Sequence, residues 1–281
     1  MILSNFHTHT NFCDGLSTPQ EYIGAALAAG LQALGFSSHG YVPYEGLYSG
    51  MPLDAAHEYR RVIGGLKNVY SGQIEIYTGL ENDAVNLHPA DDYDYTIGSV
   101  HCIKCGDIYY SVDSRDEIAA RAINDEFSGD GIAYALAYFD TVYEFAAVKR
   151  ADILGHIDLV RRFNTHTGNS NPNSGGYRYF DEGDPRYRCA AVAALERAAR
   201  SGYIIEVSTA PLSKGFSGEA YPALFLLKRA KEIGARIMVN SDAHSAENLT
   251  YAFGRVEHIL KGIGFKERWE LAPSGFVPVA L

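Results

Sequence analysis

His7 and His9 stand two residues apart in NFHTHTNFCDG, and Asp14 follows five residues after the second. On an extended backbone, residues two apart point to the same face, so both imidazoles can reach one ion. Similar donors recur along the chain: His39 in SSHG, Glu81 in TGLEND, His101 in GSVH, His156 in GHID, and Asp242 with His244 in NSDAH. Neutral imidazole and carboxylate suit zinc, iron or manganese. A lone buried histidine is ordinarily a hydrogen-bonded core residue. The weight therefore rests on how the set is placed.

That placement follows from the elements. Seven β-like runs, MILSNF, ALGFSS, IEIYTGL, YTIGSV, DILGHI, YIIEVS and RIMVNS, alternate with helical patterns. Such alternation predicts an α/β fold with parallel strands and helical crossovers. Six of the seven runs finish in one of the donors above. In a parallel α/β barrel the carboxyl ends of the strands converge on one mouth, so ligands distant in sequence would meet there.

The helices carry their own signals. Thr18-Pro19-Gln20-Glu21 reads as a capping box with proline at the first helical position, and Gly30 as the stop. DPRYRCAAVAALERAARSG and YPALFLLKRAKEIG place apolar residues at three- and four-residue spacing and end at Gly202 and Gly234. The polar, turn-rich stretch 164–177 is expected to be a loop over the site or a surface excursion. No linker divides the chain, so residues 1–281 are expected to form a single domain.

The 281 residues are 47% hydrophobic, enough for a full core. A net charge of −10 argues against extended nucleic acid as a partner. No apolar run approaches the ~20 residues that span a bilayer. With no leader pattern and only four cysteines, the expected location is the cytoplasm, with reduced thiols.

Taken together, HTHTNFCDG, LGFSSHG, GLEND, GSVH, GHIDLVRRF, EVSTAPLSKG and NSDAH resemble, in order, the PHP (polymerase and histidinol phosphatase) superfamily of metal-dependent phosphoesterases, nearest its histidinol-phosphate phosphatase branch. The resemblance implies a distorted (β/α)7 barrel, TIM-barrel-like, holding up to three divalent ions (Zn, Mn or Fe). It implies that His7, His9, Glu81 and Asp242 hold one ion. Glu81 would bridge to a second, completed by His101 and His156, and Asp14, His39 and His244 would hold a third. Ser38 departs from the family, where aspartate is common before the histidine, and Ser208 stands where asparagine is frequent. No motif can be assigned to YVPYEGLYSGMP.

Ions held this way would activate water and neutralise phosphoryl oxygens. Glu81, Asp242 and His244 are thus the expected catalytic residues. The phosphate also needs fixed cations, for which Arg161 or Arg162, just after the fifth strand's ligand, and Lys214 are the candidates. Glu206 ends the sixth run and reads either as a support for a ligand or as a structural acid; Asp158 reads as structural or supporting. Cys102 and Cys105 form a CxxC that reads as ordinary packing or loop thiols. His57, His88, His166 and His258 have no partner pattern. The leading expectation is hydrolysis of L-histidinol phosphate in histidine biosynthesis. The alternative is a PHP phosphoesterase acting on another small phosphomonoester or short nucleotide. A non-catalytic metal-binding module ranks last, because no acidic ligand is lost.

Overall fold

The computed structural model describes residues 1–43, 50–85, 88–89, 91–165 and 176–281. All seven expected strands form: β1 (Ser4–Asn5), β2 (Ala33–Phe36), β3 (Glu75–Asp83), β4 (Tyr95–Ser99), β7 (Ile153–Leu154), β8 (Ile204–Ser208) and β9 (Ile237–Asn240). They pair in parallel in the order β1-β2-β3-β4-β7-β8-β9. The circle closes by an isolated parallel bridge between Thr8 and Ala243, beyond both strand ends. Side-chain amides fill the remaining seam: Phe6 N–H donates to Asn240 Oδ1 at 2.9 Å, and Ser241 N–H to Asn5 Oδ1 at 3.2 Å. The distorted (β/α)7 barrel is thus closed partly by backbone and partly by side chains.

Eight helices surround it: α1 (Pro19–Ala29), α2 (Ala55–Val69), α3 (Asp116–Phe127), α4 (Gly131–Ala147), α5 (Pro185–Arg200), the single turn α6 (Ala210–Ser213), α7 (Leu224–Glu232) and α8 (Phe253–Ile263), counted among the described residues. The capping box on α1 is made as expected. Glu21 N–H donates to Thr18 Oγ1, Thr18 N–H donates to the Glu21 carboxylate, and Gly30 adopts φ +74°. α7 starts three residues later than Tyr221. Tyr221 is taken up by pairing with Ser208 at the end of β8, exchanging hydrogen bonds of 2.7 and 3.0 Å.

The strands bury both faces, as a helix-covered parallel sheet must. Leu34, Phe36, Ile205, Val207 and Val239 face the helices. The inward face changes character along the barrel axis. Near the strand starts it is apolar: Phe6, Tyr77, Tyr95, Ile97, Ile153, Ile204 and Met238, closed off by Leu271 and Trp269 of a terminal hairpin, β10 (Glu267–Ala272) with β11 (Gly275–Ala280). Tyr95 lies across this layer and bonds Phe6 O at 2.5 Å. It fits because β2 and β3 carry glycine there: a Cβ at Gly79 would stand 2.2 Å from its ring, and one at Gly35 2.4 Å from its hydroxyl. Two residues beyond Gly79, Ile97, Ile204 and Met238 on the same inward rows come Glu81, Ser99, Glu206 and Asn240, all buried. The period of two thus carries an apolar plug into a polar mouth.

The connection from β4 to β7 carries a second hairpin, β5 (Cys102–Cys105) with β6 (Ile108–Ser111), then α3 and α4. Cys102 and Cys105 are three apart on one strand, so their side chains leave on opposite faces and the CxxC is not a facing pair. All four cysteines are free thiols.

Candidate active site

The mouth gathers the other eight predicted donors around Glu81. Its Oε2 lies 3.1 Å from His7 Nε2, 3.3 Å from His9 Nε2 and 3.0 Å from His39 Nδ1. Its Oε1 lies 3.1 Å from His156 Nε2 and 3.5 Å from His101 Nε2, and accepts a 2.5 Å bond from Ser99 Oγ. Asp242 Oδ1 is 3.1 Å from His9 Nε2 and 3.6 Å from both His7 Nε2 and His244 Nδ1. Asp14 stands off the strand ends, with Oδ2 3.6 Å from His244 Nε2 and 3.9 Å from His39 Nε2. Asp242 takes φ +48°, a left-handed conformation that aspartate tolerates better than most residues.

Four sets of donor atoms converge closely enough to share an ion: His9, Asp14, His39 and His244; His7, His9 and Asp242; His7, Glu81 and His156; His39, Glu81 and His101. Buried polar atoms normally have hydrogen-bond partners. Here His7 Nε2, His9 Nε2, Asp14 Oδ1 and Glu81 Oε2 make none with the described residues, despite their close neighbours. A converging set of imidazole and carboxylate atoms left without hydrogen bonds fits divalent cations.

Electrostatics separate the imidazoles. His9 packs between His39 and His244, with ring centroids 4.2 Å from each. Burial, followed by the repulsion of those two rings, lowers its pKa to about 3, so His9 is a neutral imidazole at neutral pH. Burial opposes protonation of His101 as well, but Glu81 and Asp83 outweigh it and raise its pKa to about 10. Burial also opposes ionisation of Glu81, yet His7, His39 and His101 hold it well below the usual carboxylate range. Burial and neighbouring Asp14 push the Cys13 thiol up to about 12.

Two acids orient candidate ligands from behind. Glu206 accepts at 2.6 Å from His7 Nδ1, at 2.9 Å from the His156 amide and at 2.9 Å from Asn240 Nδ2. Of its two readings in the sequence, support for a ligand is the one the geometry favours. Asp83 Oδ2 lies 2.8 Å from His101 Nδ1. Sequence reasoning missed Asp83, although its place two residues after Glu81 puts both carboxylates on the inward face. Ser38 Oγ lies 2.9 Å from Thr10 Oγ1, bracing the loop after β1.

Above the donors opens a cavity of about 420 Å³, whose lining includes Leu16, Asp113, Ser114, Leu159, Arg162 and Lys214. Lys214 Nζ is 3.4 Å from His244 Nδ1. Arg162 packs its guanidinium 4.6 Å from the Phe216 ring centroid. Arg161 does not line the cavity, which corrects one of the two arginine candidates. It ends a 3-10 turn (Leu159–Arg161), where successive side chains diverge by about 120°. Its guanidinium turns into the protein to meet Asp158 at 3.1 Å, Glu182 at 2.8 Å and Glu219 at 3.4 Å. Asp158 also accepts from the Ala223 amide at 2.8 Å, a structural role. Most of the 164–177 stretch, His166 included, lies outside the described residues.

The family model described as "PHP domain" matches residues 5–210. A Deinococcus radiodurans protein named "Probable histidinol-phosphatase" is 30% identical over 276 residues, covering 93% of this chain and 94% of that one. The histidinol-phosphatase of Bacillus subtilis (strain 168) is 26% identical, covering 88% and 95%. A solved structure of histidinol phosphate phosphatase from Lactococcus lactis, complexed with zinc, L-histidinol and phosphate, superposes with a TM-score of 0.72 at 23% identity over 98% of both chains. The chain therefore belongs to the PHP domain family, as a metal-dependent phosphomonoester hydrolase, and its curated relatives lie in the branch whose members bear histidinol-phosphatase names. Among the described residues no helix is long and apolar enough to cross a membrane.

Proposed function

We propose that the chain hydrolyses L-histidinol phosphate to L-histidinol and phosphate, a step of histidine biosynthesis. The observation that carries this reading is Glu81, whose two oxygens face different imidazole sets from the centre of the cluster. The names of the curated relatives, and the ligands of the Lactococcus structure, support the substrate. The reading takes residues 1–281 as one unit, because β9 and Asp242 lie beyond the matched 5–210 and complete both barrel and cluster.

His7, His9, Glu81 and Asp242 would hold one ion, Glu81 with His101 and His156 a second, and Asp14, His39 and His244 a third. Zinc, manganese and iron all suit these donors. Bound there, divalent ions supply Lewis-acid charge stabilisation and water activation. The chain's own part is orientation and charge. Glu206 and Asp83 fix the rings of His7 and His101. Arg162 and Lys214 border the cavity where the phosphate would lie, and an arginine fork matches its oxygens.

The test is phosphate release by the purified, metal-loaded protein from histidinol phosphate, other small phosphomonoesters and a short oligonucleotide. Strong preference for histidinol phosphate, abolished by chelator, is the expected result. Chelator-sensitive turnover of the other esters with histidinol phosphate untouched would overturn the substrate and leave the alternative, another small phosphomonoester or short nucleotide.

A further inference from the structure

We infer that Asp113 and Ser114 form an ammonium subsite that selects phosphate esters of vicinal amino alcohols. The inference rests on the phosphatase reading above and deepens it by naming what the cavity recognises besides phosphate.

The two residues follow β6, and one hydroxyl builds their turn. Ser111 Oγ donates to Asp113 Oδ1 at 3.0 Å and accepts from the Asp113 and Ser114 amides at 3.3 and 2.9 Å. The β5–β6 hairpin thereby holds a carboxylate and a hydroxyl at the rim of the cavity that Arg162 and Lys214 also line. Each group keeps hydrogen-bonding capacity beyond these bonds. Asp113 Oδ2 has one long contact, 3.5 Å from Arg162 Nη1. Ser114 Oγ is buried with no hydrogen-bond partner among the described residues. A buried hydroxyl without a partner calls for an explanation, and a ligand in the adjoining cavity provides one.

The chemistry of the substrate class fits this spacing. In a phosphorylated vicinal amino alcohol, two carbons separate the ester oxygen from the ammonium nitrogen. A group that meets the ammonium must therefore sit one side chain away from the group that meets the phosphate. Asp113 beside Arg162 satisfies this, with an anion for the ammonium next to a cation for the phosphate. A charge-assisted bond from ammonium to carboxylate is among the stronger hydrogen bonds, and the Ser114 hydroxyl can accept a second.

The competing account is that Asp113 only orients Arg162. Steady-state kinetics on the metal-loaded protein separate the two, using histidinol phosphate, its desamino analogue imidazolylpropanol phosphate, and the pair O-phosphoethanolamine and ethyl phosphate. The wild type should favour the ammonium-bearing member of each pair. Asp113→Asn should lower kcat/KM for histidinol phosphate by about 10- to 100-fold, chiefly through KM, and change the desamino ester less than about 3-fold. Asp113→Glu should retain part of the preference, and circular dichroism should confirm that both variants are folded. Equal losses on both members of a pair, or no loss on either, would overturn the subsite. A wild type that turns over histidinol phosphate without any preference for the amino ester would also overturn it, while leaving the phosphatase reading intact. Failure of the wild type on histidinol phosphate would refute that reading instead, and the ethanolamine pair would then judge the subsite alone.

Discussion

Glu81 is the residue on which the account turns, because its oxygens are shared between two imidazole sets. Glu81→Ala should remove most bound metal and most activity together, read by elemental analysis beside phosphate release. Glu206 is a subtler case. It touches no predicted substrate position, but it fixes the His7 ring through Nδ1. Loss of such an outer partner typically weakens metal affinity or activity by about 10- to 100-fold. Glu206→Gln should therefore weaken metal binding in a chelator-competition titration by a factor in that range. Unchanged affinity would mean that Glu206 is merely structural. At this scale the sequence made the candidate ligands legible, since all but Asp14 lie near or just beyond the end of a strand. It did not reveal which way Arg161 and Arg162 point, because the 3-10 turn that separates them depends on tertiary partners, three carboxylates in the case of Arg161.

The elements place those residues through two kinds of local rule. The capping box on α1 and the glycine stops were readable because they are short-range hydrogen-bond and backbone requirements. Thr18→Ala should cost about 1 kcal/mol of stability, visible as a lower thermal midpoint. The barrel interior follows a longer rule, in which glycines on β2 and β3 leave room for Tyr95 on β4. Gly79→Ala should destabilise by roughly 1–3 kcal/mol, as overpacked cores do, and a denaturant midpoint equal to wild type would refute that packing role. That pairing was not legible, because glycine in a strand says only that something approaches. The start of α7 was misplaced for a similar reason: the pairing of Tyr221 with Ser208 is non-local and overrides helical periodicity.

At the scale of the whole molecule, an apolar barrel floor supports a mouth crowded with titrating groups, so stability should depend on pH and on metal together. His101 has its pKa raised from 6.5 to about 10, so its contribution to the metal-free protein is complete below pH 6.5 and fades as pH rises through about 10. His9 has its pKa lowered from 6.5 to about 3, so the unfolded chain takes up its proton first and stability falls as pH drops below 6.5. From these two groups, the thermal midpoint of metal-free protein should peak near pH 6.5. Saturating metal should flatten the alkaline limb, because binding requires the deprotonated ring. An alkaline limb unchanged by metal would count against His101 as a ligand. The most direct measurement strips the protein with chelator, returns zinc or manganese stepwise, and follows phosphate release from histidinol phosphate by wild type and Glu81→Ala. The account predicts no turnover when stripped, recovery on titration in wild type, and none in the variant at any metal concentration. Full turnover by the stripped protein, or a wild-type rate in Glu81→Ala, would contradict it.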